Sequence, residues 1–221
     1  RVQTGEAPLR ENLAAGILRL AGWQPDQALL DPMCGSGTFL IEAAHMALNI
    51  APGARRPLAL EQIIPCPAEV IHTAREAAIA AEHPPRTLPI HGNDLDASVL
   101  ECAEANLHMA KLKGCVNLSC GDLQDCEPHA PTGVIVSNPP YGVRIGELAY
   151  LDELYPQMGH WLKKRCAGWN AYFLTGDPQL AKRIRLSASR RTPLFNGALE
   201  CRLFEYKIIA GSARKPKEPS L

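Results

Sequence analysis

Residues 137–142 read Ser137, Asn138, Pro139, Pro140, Tyr141, Gly142, directly after the apolar run 133–136. Two consecutive prolines fix the backbone and remove its donors. The Asn138 side-chain oxygen and the Pro139 carbonyl are then placed to accept from one planar NH₂ group. Bonding of that kind draws the nitrogen toward tetrahedral geometry and aims its lone pair at an electrophile, which is catalysis by positioning and electrostatics. Tyr141 supplies a face on which an unstacked base can lie. The plain alternative is a proline-rich loop that ends a strand.

Three shorter motifs stand where other strands should end. The first is Asp31, Pro32, Met33, Cys34, Gly35, Ser36, Gly37, Thr38, Phe39. Gly35 and Gly37 remove side chains so that backbone N–H groups can approach a ligand, and the helix that follows presents its positive end. The spacing is not G-x-G-x-x-G and lacks a P-loop lysine, so it favours a nucleoside-like ligand over a triphosphate. The second is Gly92, Asn93, Asp94, Leu95, Asp96. Asp94 can accept both hydroxyls of a ribose, and Asp96 reads as the cap of the next helix. In the third, Gly121-Asp122, the carboxylate can take an adenine amino group. Each motif alone also has a plain reading as a tight turn or a cap; in one sheet they converge.

The elements that must position these residues alternate. Helices are expected over 8–20, 37–49, 97–112, 147–164 and 178–186, and strands over 28–31, 88–93, 116–120, 133–137, 171–175 and 200–209. Such alternation predicts βαβ units and a parallel sheet covered on both faces. Residues 50–90 carry seven prolines and one helical patch, 68–81, and are expected to be an insertion. Residues 192–195, Asn196-Gly197 and the run to 209 predict a β-hairpin with a tight turn. The fold class is therefore α/β, Rossmann-like, with a mostly parallel seven-stranded sheet finishing in an antiparallel hairpin, as in class I S-adenosylmethionine-dependent methyltransferases. One catalytic domain is expected over 1–210, followed by a mobile tail, 211–221.

The chain has 221 residues and no apolar run that approaches the roughly 20 needed to span a bilayer. Eight cysteines without a C-x-x-C pair read as free thiols in a reducing cytosol, and seven dispersed histidines show no metal spacing. No metal and no membrane are expected. Net charge is zero, but residues 1–150 hold 10 Lys/Arg against 17 Asp/Glu, and residues 151–221 hold 13 against 6. Lys163, Lys164 and Arg165, with Lys182, Arg183, Arg185, Arg190 and Arg191, are candidate contacts to RNA phosphates, or solvated helix faces.

The motifs together, with residues 6–12 and Asn196 to Glu200, resemble the catalytic domain of the bacterial ribosomal RNA large-subunit guanine N2-methyltransferase family, whose members usually carry an N-terminal RNA-binding THUMP domain. The resemblance runs from Thr4 to about Ile209. It implies S-adenosyl-L-methionine as methyl donor, with Asp31, Gly35 and Gly37 at its methionine portion, Asp94 at the ribose and Asp122 at the adenine. Pro32, Cys34, Ser36, Thr38 and Asn138 complete that pocket, and Ala7, Pro8, Leu9 and Asn12 close it. Cys34 is a packing or backbone position, not a nucleophile. The catalytic set is Asn138, Pro139, Pro140 and Tyr141. RNA is the implied partner, large-subunit ribosomal RNA before transfer RNA. A chain that begins at Arg1 is expected to be a piece of a longer protein whose RNA-binding domain lies outside it. N6-adenine and protein-glutamine methyltransferases grip a planar NH₂ with the same Asn-Pro-Pro-Tyr, and a silent RNA-binding module keeping the fold is a third alternative.

Overall fold

In the computed structural model residues 8–59, 61, 67–141 and 148–210 are described. Strands that are apolar on both sides, such as the fully buried β4 (Gly133–Ser137), require helices on both faces of their sheet. The helices are α1 (Glu11–Leu20), α2 (Thr38–Ala47), α3 (Ala68–Ala80), α4 (Ala97–Met109), α5 (Leu148–Arg165) and α6 (Pro178–Arg183). The remaining strands are β1 (Leu29–Asp31), β2 (Ile90–Asp94), β3 (Asn117–Cys120), β5 (Trp169–Thr175), β6 (Arg190–Asn196) and β7 (Leu199–Lys207). The sheet order is β3-β2-β1-β4-β5-β7-β6. β1 to β5 run parallel, and β7 is antiparallel to both of its neighbours. This is the expected seven-stranded α/β sheet with its terminal hairpin. The chain steps outward from β1 to β3 and returns to lay β4 on the other side of β1, so a crevice opens between the carboxyl ends of β1 and β4.

Alternation along the strands divides the core. Leu29, Val134, Val136, Leu174, Cys201 and Leu203 pack with Ile17 and Leu18 of α1 and with Phe39 and Leu40 of α2. Leu30, Ile135, Phe173, Phe204 and Tyr206 pack with Tyr155, Met158 and Trp161 of α5 and with Leu180 of α6. α3 buries none of its residues and lies between α2 and β2 in the chain, outside the sheet.

Element ends differ from expectation where the backbone has other partners. Residues 8–10 are not helical: the Arg10 N–H is given to the Asn196 side chain, and α1 starts at Glu11. β2 starts at Ile90, after Pro89, which has no N–H for the ladder. α6 ends at Arg183, because Arg185 turns to a φ of 56°. In the hairpin Asn196 still pairs with Leu199, so the central turn residues are Gly197 and Ala198 and not Asn196 and Gly197. Gly197 alone takes a positive φ, 70°, the pattern of a type II′ turn.

α5 and α6 meet at Gly159, where an added Cβ would fall 1.9 Å from the Ile184 carbonyl oxygen. Backbone cannot yield there as a side chain would. Gly159→Ala is expected to cost about 2 kcal/mol or more and to lower Tm by roughly 5 °C in a thermal melt.

Candidate active site

The loop after β1 is shaped by two glycines and held from the next βα unit. Gly35 and Gly37 take φ of 54° and 83°, in the left-handed region, and Gly37 also lies where a Cβ would touch the Ala103 Cβ of α4 at 3.4 Å. The Cys34 N–H donates to the Asn93 carbonyl at 2.8 Å, and the Gly35 N–H donates to Asp94 Oδ2 at 2.8 Å. Asn106 of α4 donates to the Ser36 carbonyl at 3.0 Å. Thr38 opens α2, whose first N–H groups have no partner within the helix. Cys34 is buried, and burial pushes its thiol far above the usual range, as befits a packing residue.

Asp94 is half-buried, and its other oxygen accepts the Asp96 N–H at 3.1 Å, so the carboxylate faces the glycine loop from the end of β2. Asp96 caps α4 through the Ser98 N–H at 2.8 Å. Asp122, exposed after β3, caps a single 3-10 turn through the Gln124 N–H at 2.7 Å. Tyr150, half-exposed on the first turn of α5, has its hydroxyl pushed up by burial and then by the charges of Asp94 and Asp122.

Asp31, 1% exposed at the end of β1, accepts the Ser137 hydroxyl at 2.7 Å and the Met33 N–H at 3.3 Å. Burial raises its pKa to about 7 against those two hydrogen bonds, with the charge of Asp94 adding to the rise. This buried carboxylate borders the loop that begins one residue later.

Asn138 follows Ser137 directly. Its Oδ1 is buried and has no hydrogen-bond partner among the described residues. A buried acceptor left open costs free energy unless a ligand fills it. Pro139 is buried and Pro140 exposed, and the Pro140 carbonyl accepts the hydroxyl of the fully buried Tyr155 at 3.2 Å. Tyr141 is half-buried with its ring over Gly176, where a Cβ would lie 2.8 Å from Cε2. Its hydroxyl approaches Cys201 Sγ at 3.8 Å; burial, then Cys201, pushes it up.

The structure thus brings the Asp31 to Thr38 loop, Asp94, Asp122 and residues 138–141 to the carboxyl ends of successive parallel strands. Pro8 is exposed, Leu9 is buried in the core that holds α2, and Asn12 is exposed on the first turn of α1. Ala7 and Gly142 lie outside the described residues. The basic clusters are not part of this gathering. α5 runs from the end of β4 back to the start of β5, which puts Lys163, Lys164 and Arg165 at the amino ends of the strands. Arg165 pairs with Glu127 and Arg183 with Asp152, and Arg191 lies over the Phe204 ring. Four contributors escaped the sequence reading. Asn93 donates to the Pro32 and Gly121 carbonyls and accepts from Ser119, tying three strand ends together. Ser137, Tyr155 and Asn196 complete the set; Asn93, Ser137 and Asn196 stood inside motifs without being assigned a part, and no local signal marks Tyr155.

A sheet of this order, with a glycine loop, acidic strand ends and an Asn-Pro-Pro-Tyr loop around its switch point, defines a class I methyltransferase. The chain belongs to the family of RMKL-like methyltransferase domains (UPF0020), which it matches over residues 1–205. It is 42% identical over 218 residues to the Methylococcus capsulatus ribosomal RNA large subunit methyltransferase K/L, covering 94% of this chain and 29% of that protein. It is 41% identical over 209 residues to the Synechocystis protein slr0064, whose name places it among RNA methyltransferases, covering 94% of this chain and 54% of the relative. The chain therefore spans about half the length, or less, of these curated relatives. The crystal structure of SMU.472 complexed with SAH superposes with a TM-score of 0.84 at 34% identity, over 95% of this chain and 55% of the other. No helix among the described residues is long and apolar enough to cross a membrane, and the seven described cysteines are free thiols.

The raised pKa of Asp31 fixes a sign. The folded chain keeps a proton that the unfolded chain releases between about pH 4 and the folded value of about 7, so stability present at the acid end is lost as pH rises through 7. Asp31→Asn cannot ionise. Its Tm relative to the wild type is expected to rise steadily from pH 5 to pH 8 in paired melts; a constant difference would show that Asp31 does not titrate in that window.

Proposed function

We propose that this chain is the catalytic part of an S-adenosylmethionine-dependent RNA methyltransferase that methylates the exocyclic N2 of guanine in large-subunit ribosomal RNA. The observation that carries this reading is Asn138 Oδ1, a buried acceptor without a partner among the described residues, at the head of a rigid Pro-Pro segment. Its natural complement is an N–H donor from a planar amino group.

The residues fit the cofactor. Two left-handed glycines leave backbone N–H groups approachable, no phosphate-binding lysine stands in the loop, and Asp31 is a buried carboxylate that a cationic ligand would relieve. Asp31, Pro32, Cys34, Gly35, Ser36, Gly37 and Thr38 would hold the amino-acid portion. Asp94 would accept the ribose hydroxyls and Asp122 the adenine amino group, while Ala7, Pro8, Leu9 and Asn12 close the pocket beside Asn138. When bound, S-adenosylmethionine supplies an electrophilic sulfonium methyl.

The protein's part is positioning. Asn138 Oδ1 and the Pro139 carbonyl accept from the target NH₂, Pro140 is fixed through Tyr155, and Tyr141 offers its ring face to the base. This turns the nitrogen lone pair toward the methyl and excludes water from beneath it. No strong general base is required, because a methylated aminium is acidic enough to give its proton to water. The assignment of ribosomal RNA rests on the relatives' names and that of guanine N2 on the motif resemblance, supported by the open acceptor of Asn138.

Calorimetric titration with S-adenosylmethionine, then incubation with labelled cofactor and under-methylated ribosomal RNA and digestion to nucleosides, tests the reading. Label is expected in N2-methylguanosine; label in N6-methyladenosine would overturn the base, and a lack of cofactor binding would overturn the glycine-loop assignment. Asn138→Ala should lower kcat by about 100- to 1,000-fold while leaving cofactor affinity nearly intact. A large loss of cofactor affinity would put Asn138 in the wrong pocket.

A further inference from the structure

The carboxyl ends of the sheet differ from one side to the other. Asp31, Asp94 and Asp122 stand at or after the ends of β1, β2 and β3, whereas beyond β5 lies the tip of the β6–β7 hairpin, which carries Leu199, 40% exposed. Register sets the face of each side chain there. Leu194 pairs with Cys201 and Asn196 with Leu199, on the face packed by α1; Phe195, 64% exposed, pairs with Glu200 on the other face, where Phe204 packs with α5. Leu199 and the Tyr141 ring meet over Gly176: a Cβ on that glycine would lie 2.8 Å from Tyr141 Cε2 and 3.6 Å from Leu199 Cδ2. The Tyr141 hydroxyl reaches Cys201 Sγ at 3.8 Å, two residues along β7 on the same face. An exposed apolar side chain thus continues the Tyr141 ring outward. A cation stands beside it. A Cβ on Gly197, in the turn between Asn196 and Leu199, would fall 2.9 Å from Arg10 Nη2, 3.2 Å from Cζ and 3.4 Å from Nε, so the guanidinium lies across the turn. The backbone holds it there: the Arg10 N–H donates to Asn196 Oδ1 at 3.3 Å, and Asn196 Nδ2 donates to the Pro8 carbonyl at 3.3 Å. Arg10 is exposed and has no carboxylate partner among the described residues, and Glu200 is turned to the other face, 3.7 Å from Arg202.

We propose that Leu199 and Arg10 form a subsite for the nucleotide adjoining the target in a single-stranded stretch of RNA, Leu199 covering its base beside the Tyr141 ring and Arg10 taking its phosphate. This rests on the reading of Tyr141 as the platform for the target base. A base turned out onto Tyr141 has left its stack, so the adjoining base has an uncovered face, and an apolar side chain next to the ring covers it without reading sequence. The phosphate that joins the two nucleotides then lies at the rim of the hairpin. A guanidinium laid flat across a turn presents its planar fork of N–H donors to such a group. On the opposite side of the crevice the carboxylates of Asp31, Asp94 and Asp122 would repel it, so the strand is directed toward the hairpin.

Steady-state methylation of under-methylated ribosomal RNA by the 221-residue chain, over a series of potassium chloride concentrations, tests the subsite. Arg10→Gln keeps most of the stem and removes the charge. It is expected to make the fall of log kcat/KM with log salt shallower by about 0.7, the worth of one phosphate contact on a single strand, and Arg10→Lys to restore the wild-type slope. Leu199→Ala is expected to raise KM for RNA about three- to tenfold with kcat little changed. Phe195→Ala, on the other face of the same hairpin, should leave KM as in the wild type. Calorimetric titration should show each variant binding S-adenosylhomocysteine as the wild type does. An unchanged salt slope in Arg10→Gln, or a wild-type KM in Leu199→Ala, would overturn the proposal. So would a rise in KM of the same size in Phe195→Ala, or a loss of S-adenosylhomocysteine affinity that matches the loss for RNA. Failure of the wild type to label RNA at all would instead overturn the reading of Tyr141 as a base platform, and the subsite with it.

Discussion

Burial of polar groups at the carboxyl ends of the strands is the constraint on which the rest of this molecule depends. Among the described residues the buried polar side chains are Asp31, Asn93, Ser137, Thr175 and Asn196, and each stands at or next to the end of a different strand, β1, β2, β4, β5 and β6. Out of reach of water, each must find a partner within the protein or be completed by a ligand. Their bonds run sideways, from strand end to strand end: Ser137 to Asp31, Asn93 to the loops after β1 and β3, Asn196 to the segment before α1. Thr175 takes part through the Asp177 N–H at 3.1 Å and the Tyr155 hydroxyl at 3.5 Å. The loops that carry the chemistry are thereby fixed by a polar layer lying on an apolar sheet.

Two groups in that layer are left short, and they are the informative ones. Burial raises the pKa of Asp31, and Asn138 Oδ1 lacks a donor among the described residues. An incomplete polar layer lowers stability, and the deficit is made good by ligands of complementary charge and hydrogen bonding. The two lie at the ends of adjacent strands, β1 and β4, Asp31 within the Asp31–Ser137 bond and Asn138 one residue beyond it. On the proposed reading, a cationic cofactor and an amino-bearing base would be recognised side by side, at the distance the sheet imposes and without a mobile catalytic side chain.

The division of charge along the chain acquires a different meaning in three dimensions. The basic residues of the second half lie in large part where α5 ends and β6 begins, at the amino ends of the strands, and several are engaged by Glu127, Asp152 or an aromatic ring. They serve the helix ends and the surface of this face. Acidic side chains collect instead around the crevice, with Asp31, Asp94 and Asp122 on three strand ends. Such a crevice suits a cationic cofactor and leaves attraction of a polyanion to other surfaces.

Alternation of strands and helices, the glycine loop, the acidic strand ends and the Asn138 to Tyr141 loop were all legible from residue order, because each depends on local rules: burial periodicity, left-handed glycines, proline rigidity. Helix α1 and the hairpin turn were misplaced by one to three residues for a non-local reason. Pro8, Arg10 and Asn196 satisfy one another across more than 180 positions of sequence, so neither end could be judged alone. The parts played by Tyr155 and Asn93 were hidden for the same cause, since only folding brings their polar atoms to their partners. Sequence by itself determined which groups would stand at the strand ends. Which of them bond to each other, and which are left open for ligands, was decided only by tertiary structure, since hydrogen-bond satisfaction in a buried layer is a property of the whole layer.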